Sequence, residues 1–99
     1  MRYTFEWDPK KANSNLRKHR VSFDRAAEVI MDPLAVSMLD EAHSAEEERW
    51  VTMGKDRRGS VLVLIHTYLE VSAEESSIRI ISARRATRKE SRQYEEMDA

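Results

Sequence analysis

Apolar residues recur along this chain with two periods. Tyr3, Phe5 and Trp7 alternate with Arg2, Thr4 and Glu6, the two-residue period of a half-buried strand. Asp8-Pro9 then reads as a helix N-cap followed by proline at the first helical position, where its missing N–H is not needed, and predicts a helix running to about Arg20. A second helix is predicted over Phe23 to Ile30, because Phe23, Ala26, Ala27 and Ile30 form one stripe while Val21 and Ser22 supply a staple and a serine cap. Asp32-Pro33 ends it. Leu34 to Asp40 and Arg49 to Met53 read as strands, and Ser44 to Glu47 between them has the spacing of a capping box for a one-turn helix. Gly54 to Gly59 supplies a turn. Val61 to Glu70, rich in β-branched and aromatic residues, is the strongest strand signal and is placed centrally. Val71 to Ser77 reads as a polar hairpin loop and Ile78 to Arg84 as the last strand. Thr87 to Glu90 is a second capping box and opens a helix to about Met97, whose apolar face is Tyr94 and Met97 alone, so loose docking is expected.

The resulting order, β-α-α-β-β-β-β-α, groups strands after a pair of helices and implies an α+β fold with an antiparallel sheet. At 99 residues a single domain spanning 1–99 is expected. Hydrophobic residues make up 40% and charged residues 35%, which implies a thin core under an ionic surface. The chain has no cysteine, so neither a disulfide framework nor a thiolate metal site is available. Its first eleven residues are aromatic and charged, and its longest aliphatic run is Val61 to Ile65, so neither a secretion signal nor a membrane span is expected and a cytoplasmic location fits.

A net charge of −1 conceals segregation. Lys10, Lys11, Arg17, Lys18 and Arg20 form one basic zone without an acid, and Arg79, Arg84, Arg85, Arg88, Lys89 and Arg92 form a second with Glu90 as its one acid. Asp40 to Glu48 is acidic. Such zones are commonly solvated faces, and they are also what a phosphate-binding surface requires.

Familiar catalytic motifs are missing. His19, His43 and His66 stand alone, without a metal-ligand spacing, so no metal site and no cofactor is expected, and no nucleophile elbow, P-loop or dinucleotide fingerprint occurs. What remains is a set of basic and aromatic residues near the predicted strand ends: Lys55, Arg57, Arg58, His66, Tyr68, Arg79, Arg84 and Arg85. Metal-free RNA cleavage needs little more, because the substrate's own 2′-hydroxyl is the nucleophile. Cationic side chains stabilise the phosphorane, a histidine or lysine handles protons, and aromatic rings stack unpaired bases. Structural roles compete for the same residues: His66 as a hydrogen-bonded core histidine, the tyrosines at the core edge, the arginines in surface ion pairs.

Phe5-Glu-Trp-Asp-Pro-Lys-Lys-Ala12 with Asn15, Lys18-His19, Val21-Ser-Phe23, Asp32-Pro33, His43-Ser44, Glu47-Glu-Arg49, Gly54, and Arg79-Ile-Ile-Ser-Ala-Arg84 leading through Ala86 to Glu90 and Tyr94 follow one another in order along nearly the whole chain. In these strings the chain resembles the BrnT family of toxins. The resemblance implies a compact RelE-like ribonuclease fold, metal-independent endoribonuclease activity that arrests growth, and neutralisation by a BrnA-type ribbon-helix-helix antitoxin, through which alone operator DNA would be contacted. It marks Arg84 as the leading catalytic candidate. His66, Lys55 and Arg79 complete the expected catalytic group, with Tyr68, Arg85, Arg88, Tyr94 and Trp7 as expected RNA contacts.

One position departs from the family pattern. Leu69 stands where family members commonly carry an arginine, expected to partner the one at Arg84. Either Leu69 packs with Val61, Val63 and Ile65 while Arg79 or Arg58 supplies the charge, or the toxin is attenuated. Two other functions therefore stay open: a non-cleaving homologue that keeps the antitoxin partnership and acts as co-repressor, and a plain RNA-binding protein.

Overall fold

The computed structural model describes residues 1–97. Strand β1 (Arg2–Glu6) leads into helices α1 (Pro9–His19) and α2 (Phe23–Ile30). Strands β2 (Val36–Leu39), β3 (Arg49–Lys55) and β4 (Val61–Thr67) follow, then the two-residue β5 (Leu69–Glu70), the long β6 (Glu75–Arg85) and helix α3 (Arg88–Met97). The sheet is ordered β1-β6-β4-β3-β2, and β5 pairs with β6 beside this path. The α+β class and the central place of β4 agree with the sequence pattern.

Three local readings do not. The sheet is mixed, not antiparallel throughout: β1 runs parallel to β6, with Arg2 opposite Glu75 and Glu6 opposite Arg79, while the other pairs are antiparallel. Parallel neighbours need a long connection, and here both α1 and α2 and four strands lie between them. The expected loop Val71–Ser77 contributes its last three residues to β6 and the expected strand Val61–Glu70 breaks at Tyr68. Serine and glutamate carry little strand propensity, so pairing with β1 and β5 overrides composition there. Finally, the one-turn helix expected at Ser44 is replaced by a 3-10 turn at Glu41–His43. Ser44 Oγ donates to the Asp40 carbonyl (2.5 Å) and accepts from the Arg49 N–H (3.0 Å), stitching the loop closed instead of capping a helix.

Alternation along the strands gives the sheet an inner and an outer face. Leu62, Leu64, Ile78, Ile80 and Ala83 point inward and pack against Val21, Phe23, Ala26 and Val29 beneath α1 and α2. Ser22 caps α2, accepting from the Arg25 N–H at 3.2 Å, and Asp8 caps α1, accepting from the Lys10 N–H at 2.9 Å. Asn15 fixes α1 to the sheet: its buried amide donates to the Val21 carbonyl (3.0 Å) and the Ala83 carbonyl (2.8 Å) and accepts from the Ala83 N–H (3.1 Å). Gly54 lies where α2 closes on β3. A Cβ there would meet Asp32 Oδ2 and Val29 Cγ1 at 3.0 Å, so a larger residue would force these neighbours to give way by a few tenths of an ångström.

Helix α3 lies on the outer face. Tyr94 is its buried residue, its hydroxyl donating to Asp32 Oδ2 at 2.5 Å, whereas Met97 is exposed. The capping box forms as read, with Glu90 N–H donating to Thr87 Oγ1 (3.1 Å) and Thr87 N–H to Glu90 Oε1 (2.8 Å). Among the described residues no helix is long and apolar enough to cross a membrane.

Candidate functional site

The outer face gathers cations from two strands that are separate in sequence, β3 and β6, on either side of β4. Strand β3 presents Arg49, Val51, Met53 and Lys55; β4 presents Val61, Val63, Ile65 and Thr67, which lie opposite them in register. Arg79 and Arg84 come from β6. They are five residues apart, an odd spacing that on a regular strand puts two side chains on opposite faces. A register shift against β4 between Ile65 and His66 inserts the extra residue that turns both to the outer face. Arg49 and Arg79 flank Thr67, whose hydroxyl accepts the Arg79 N–H at 3.1 Å. Lys55 and Arg84 flank Val61 and Val63 at the other end, roughly 16 Å away along β6. Between the two ends runs an apolar floor, and a groove of about 160 Å³ lined by Val36, Met38, Val51, Met53 and Val63 opens beside Glu90 and Gln93 of α3.

Three of the four cations are held by carboxylates. Arg84 donates to Glu90 through both terminal nitrogens, at 2.8 and 3.0 Å, and to the Arg85 carbonyl at 3.3 Å. The Arg84 fork and the Thr87 N–H hold the Glu90 carboxyl down at about 2, and the hydrogen bonds to Glu90 raise Arg84 in return. Arg79 pairs with Glu47. Lys55 Nζ lies 3.8 Å from Glu95 and 5.7 Å from the centre of the Tyr94 ring. Beneath it, burial raises the Asp32 carboxyl, but the Lys55 and Leu34 N–H groups and the Tyr94 hydroxyl outweigh that and keep it below its usual value. Arg49 is different: its Nε is buried with no hydrogen-bond partner among the described residues.

Four of the expected site residues turn out to be built into the scaffold. His66 is 3% exposed on the inner face. Its Nδ1 donates to the Thr67 carbonyl at 2.9 Å, which leaves Nε2 to accept from the Thr52 hydroxyl at 2.6 Å, and Thr52 in turn meets Ser37 Oγ at 2.7 Å. Burial lowers its pKa, against a weaker opposing effect of the Thr67 carbonyl. A ring so engaged is not presented to a substrate, which corrects the proton-carrying role read from sequence. Tyr68 packs against the core with its hydroxyl 2.8 Å from Ser76 Oγ, Tyr94 anchors α3, and Trp7 stacks edge-on against Phe23 at 5.9 Å between ring centres. All three rings serve packing first, because a thin core recruits its aromatic residues. Arg85 and Arg88 are exposed on either side of the β6–α3 junction.

Leu69 is neither packed with the β4 valines nor close to Arg84. It is 64% exposed and lies opposite Ser77, some seven residues and about 23 Å along β6 from Arg84. An arginine there would neighbour Arg79. The two share a cleft of about 520 Å³ whose rim is acidic, with Glu6, Glu46, Glu47, Glu48 and Glu70. Sequence reasoning passed over Arg49 and Glu90 as site residues. The odd spacing of Arg79 and Arg84 hid the shared face, whereas the capping-box spacing that places Glu90 beside Thr87 was a usable signal. Among the described residues no three His, Asp or Glu side chains converge as a metal-holding group.

The family model for the BrnT ribonuclease toxin of type II toxin-antitoxin systems matches residues 7–90. The chain belongs to the BrnT family. As a toxin of a type II system, a BrnT protein has an antitoxin as its partner. The fold is similar to that of the Brucella abortus ribonuclease toxin BrnT, solved at 1.1 Å, with a TM-score of 0.60 and 19% identity, over 89% of this chain and 100% of that one. Among curated proteins none matches the chain significantly. The BrnT match stops at Glu90, so it takes in the Arg84–Glu90 pair but not the Tyr94 anchor.

Proposed function

We propose that this BrnT protein is a metal-independent endoribonuclease that cuts single-stranded RNA on the outer face of its sheet. The observation that carries the reading is the meeting of Arg49, Lys55, Arg79 and Arg84 on one face around an apolar floor. Bases would lie on Val51, Met53 and Ile65 while cations at both ends take the flanking phosphates. The 2′-hydroxyl attacks the adjacent phosphorus and the bond to the 5′-oxygen breaks, leaving a 2′,3′-cyclic phosphate and a 5′-hydroxyl. Arg84, exchanging Glu90 for the phosphorane, stabilises the charge that develops there. Lys55 Nζ protonates the departing oxygen, and the 2′-hydroxyl proton passes to water. Arg88, and Arg85 where the strand rounds the end of β6 toward the inner face, hold the RNA beyond the cut. A BrnA-type ribbon-helix-helix protein is the antitoxin that blocks this face and carries the pair to operator DNA.

The test is end-labelled RNA incubated with the parent, with Arg84→Ala and with Lys55→Met, in buffer with and without chelator. Cleavage by the parent in both buffers, leaving cyclic phosphate, and a loss of about a hundredfold in Arg84→Ala are expected. A folded parent that leaves RNA intact sinks the reading. It would favour a second one, to which the carboxylates on Arg79 and Arg84 already lend weight: a non-cleaving homologue that keeps its antitoxin.

A further inference from the structure

The basic zone on α1 takes no part in the site just described, since α1 packs on the opposite face of the sheet. At 3.6 residues per turn, Lys10 and Arg17 fall on one line along the helix and Lys11 and Lys18 on a parallel one, the pairs about 10 Å apart along the axis. All four side chains are exposed. Among the described residues none has a carboxylate within ion-pair distance, in contrast to Lys55, Arg79 and Arg84 of the outer face. Asn15, on the buried side of the same helix, ties α1 to β6 through two hydrogen bonds to Ala83 and to Val21, just before α2, through a third, so the stripe is presented at a fixed orientation.

We propose that the outward stripe of α1 is a second RNA-binding surface, which takes backbone phosphates of the substrate strand on the side of the molecule away from the cleavage face. The proposal rests on RNA being the substrate class. Four unpaired cations in two rows, without an acid between them, suit an extended polyanion better than a single small anion. A lipid surface fits poorly, because an interfacial helix inserts a large apolar face and the inner side of α1 is spent on the core. Arg85, two residues along β6 from Ala83 on the same sheet face, continues the positive surface toward the end where Arg84 stands. The molecule measures 34 × 32 × 27 Å, so one strand must have on the order of ten nucleotides to touch both sides, at about 3.4 Å per nucleotide. The surface therefore makes affinity depend on RNA length and adds no sequence preference.

The probes are 2′-O-methyl RNAs, which lack the nucleophile and stay intact, of about six and about 24 nucleotides, with duplex DNA of matching length as a third. The variant is Lys10→Gln, Lys11→Gln, Arg17→Gln, Lys18→Gln, whose glutamines keep helix propensity, with its fold checked by circular dichroism. Should the fourfold change unfold the chain, the Lys10→Gln, Lys18→Gln pair replaces it. The parent is expected to hold the long RNA at least about tenfold more tightly than the short one, and the variant to lose that advantage. Its salt slope should fall by about three in log K against log [salt], at about 0.7 for each phosphate no longer neutralised. Short-RNA affinity should not change. Equal long-RNA affinities for parent and variant overturn the proposal, as does preferential α1-dependent binding of duplex DNA. Its failure is separable from that of the activity: α1-dependent binding of the long RNA by a protein that never cleaves leaves this surface standing and removes the ribonuclease reading.

Discussion

Glu90 holds two relationships at once: it accepts the guanidinium of Arg84 and the N–H of Thr87, so the cation proposed for catalysis is tied to the first turn of α3. Replacing Arg84 by alanine consequently does more than remove a charge; it also leaves the cap carboxylate without its main partner. Glu90→Gln separates the two effects, because glutamine keeps the capping geometry and releases the ion pair. Glu90→Gln is expected to cleave RNA at least as fast as the parent while Arg84→Ala loses about a hundredfold; equal losses in both, accompanied by equal falls in Tm, would make the pair purely structural. With the carboxyl held at about 2 against an ordinary 4.5, its contribution to stability is complete above about pH 4.5 and drains away as the pH falls toward 2. His66 acts at higher pH. Its folded pKa is depressed, so the unfolded chain binds the proton more readily, and the stability it lends is complete above its ordinary 6.5 and declines as the pH drops below that. The parent should lose Tm between pH 7 and 5, with a smaller loss in His66→Gln; identical pH slopes would mean that the buried imidazole does not report on folding. Leu69 is the tolerant position. Exposed as it is, arginine there should leave Tm nearly unchanged, since surface substitutions lie usually within about 0.5 kcal/mol. If Leu69→Arg raises cleavage, the gain arises beside Arg79, and it should vanish in Arg79→Ala; a gain that survives Arg79→Ala would contradict this placement.

At the scale of elements, helix boundaries were legible and the extent of the last strand was not. Asp8-Pro9, Ser22 and Thr87 to Glu90 announce caps because each satisfies backbone donors within a few residues of itself, and all three form. Ser76 gives no such local signal: it is fully buried through partners some seventy residues back in β1. The same holds for the candidate site. Arg84 could be picked from a family pattern, but its common face with Arg79 depends on a bulge whose cause is tertiary. The hairpin between β3 and β4 is governed by one buried carboxylate. Asp56 accepts from Arg25 at 2.9 and 2.7 Å and from the Arg58 and Ser60 N–H groups at 2.9 Å each. Burial raises its pKa, yet these partners outweigh burial and hold it below the usual value. Asp56→Ala strands Arg25 and two turn N–H groups together, and should cost about 3–5 kcal/mol in denaturant unfolding; a loss below about 1 kcal/mol would show that water replaces the carboxylate there.

For the whole molecule, the two sides of the sheet have separate tasks. The inner side, under α1 and α2, supplies the core, and the outer side is left with α3 as its partial cover. An antitoxin that docks on the outer face of the folded toxin, and not on the unfolded chain, raises its stability by RT ln(1 + [L]/Kd), about 2.7 kcal/mol at a hundredfold excess over Kd. Thermal melts with saturating ribbon-helix-helix partner should show that rise, and the complex should spare RNA; an unshifted melt would rule out a specific complex.

The parallel pairing of the first strand with the sixth has a kinetic side. Arg2 and Glu75 are 73 positions apart in sequence yet are neighbours in space, so this ladder closes the longest loop the sheet contains. Closing it carries the largest loop-closure cost of any pairing in the sheet, and β6 keeps an unpaired edge until it is done. During synthesis β1 is made first and waits through most of translation for its partner. A nascent chain therefore spends that interval with its sheet incomplete, and β1 finds its place only when β6 has been made.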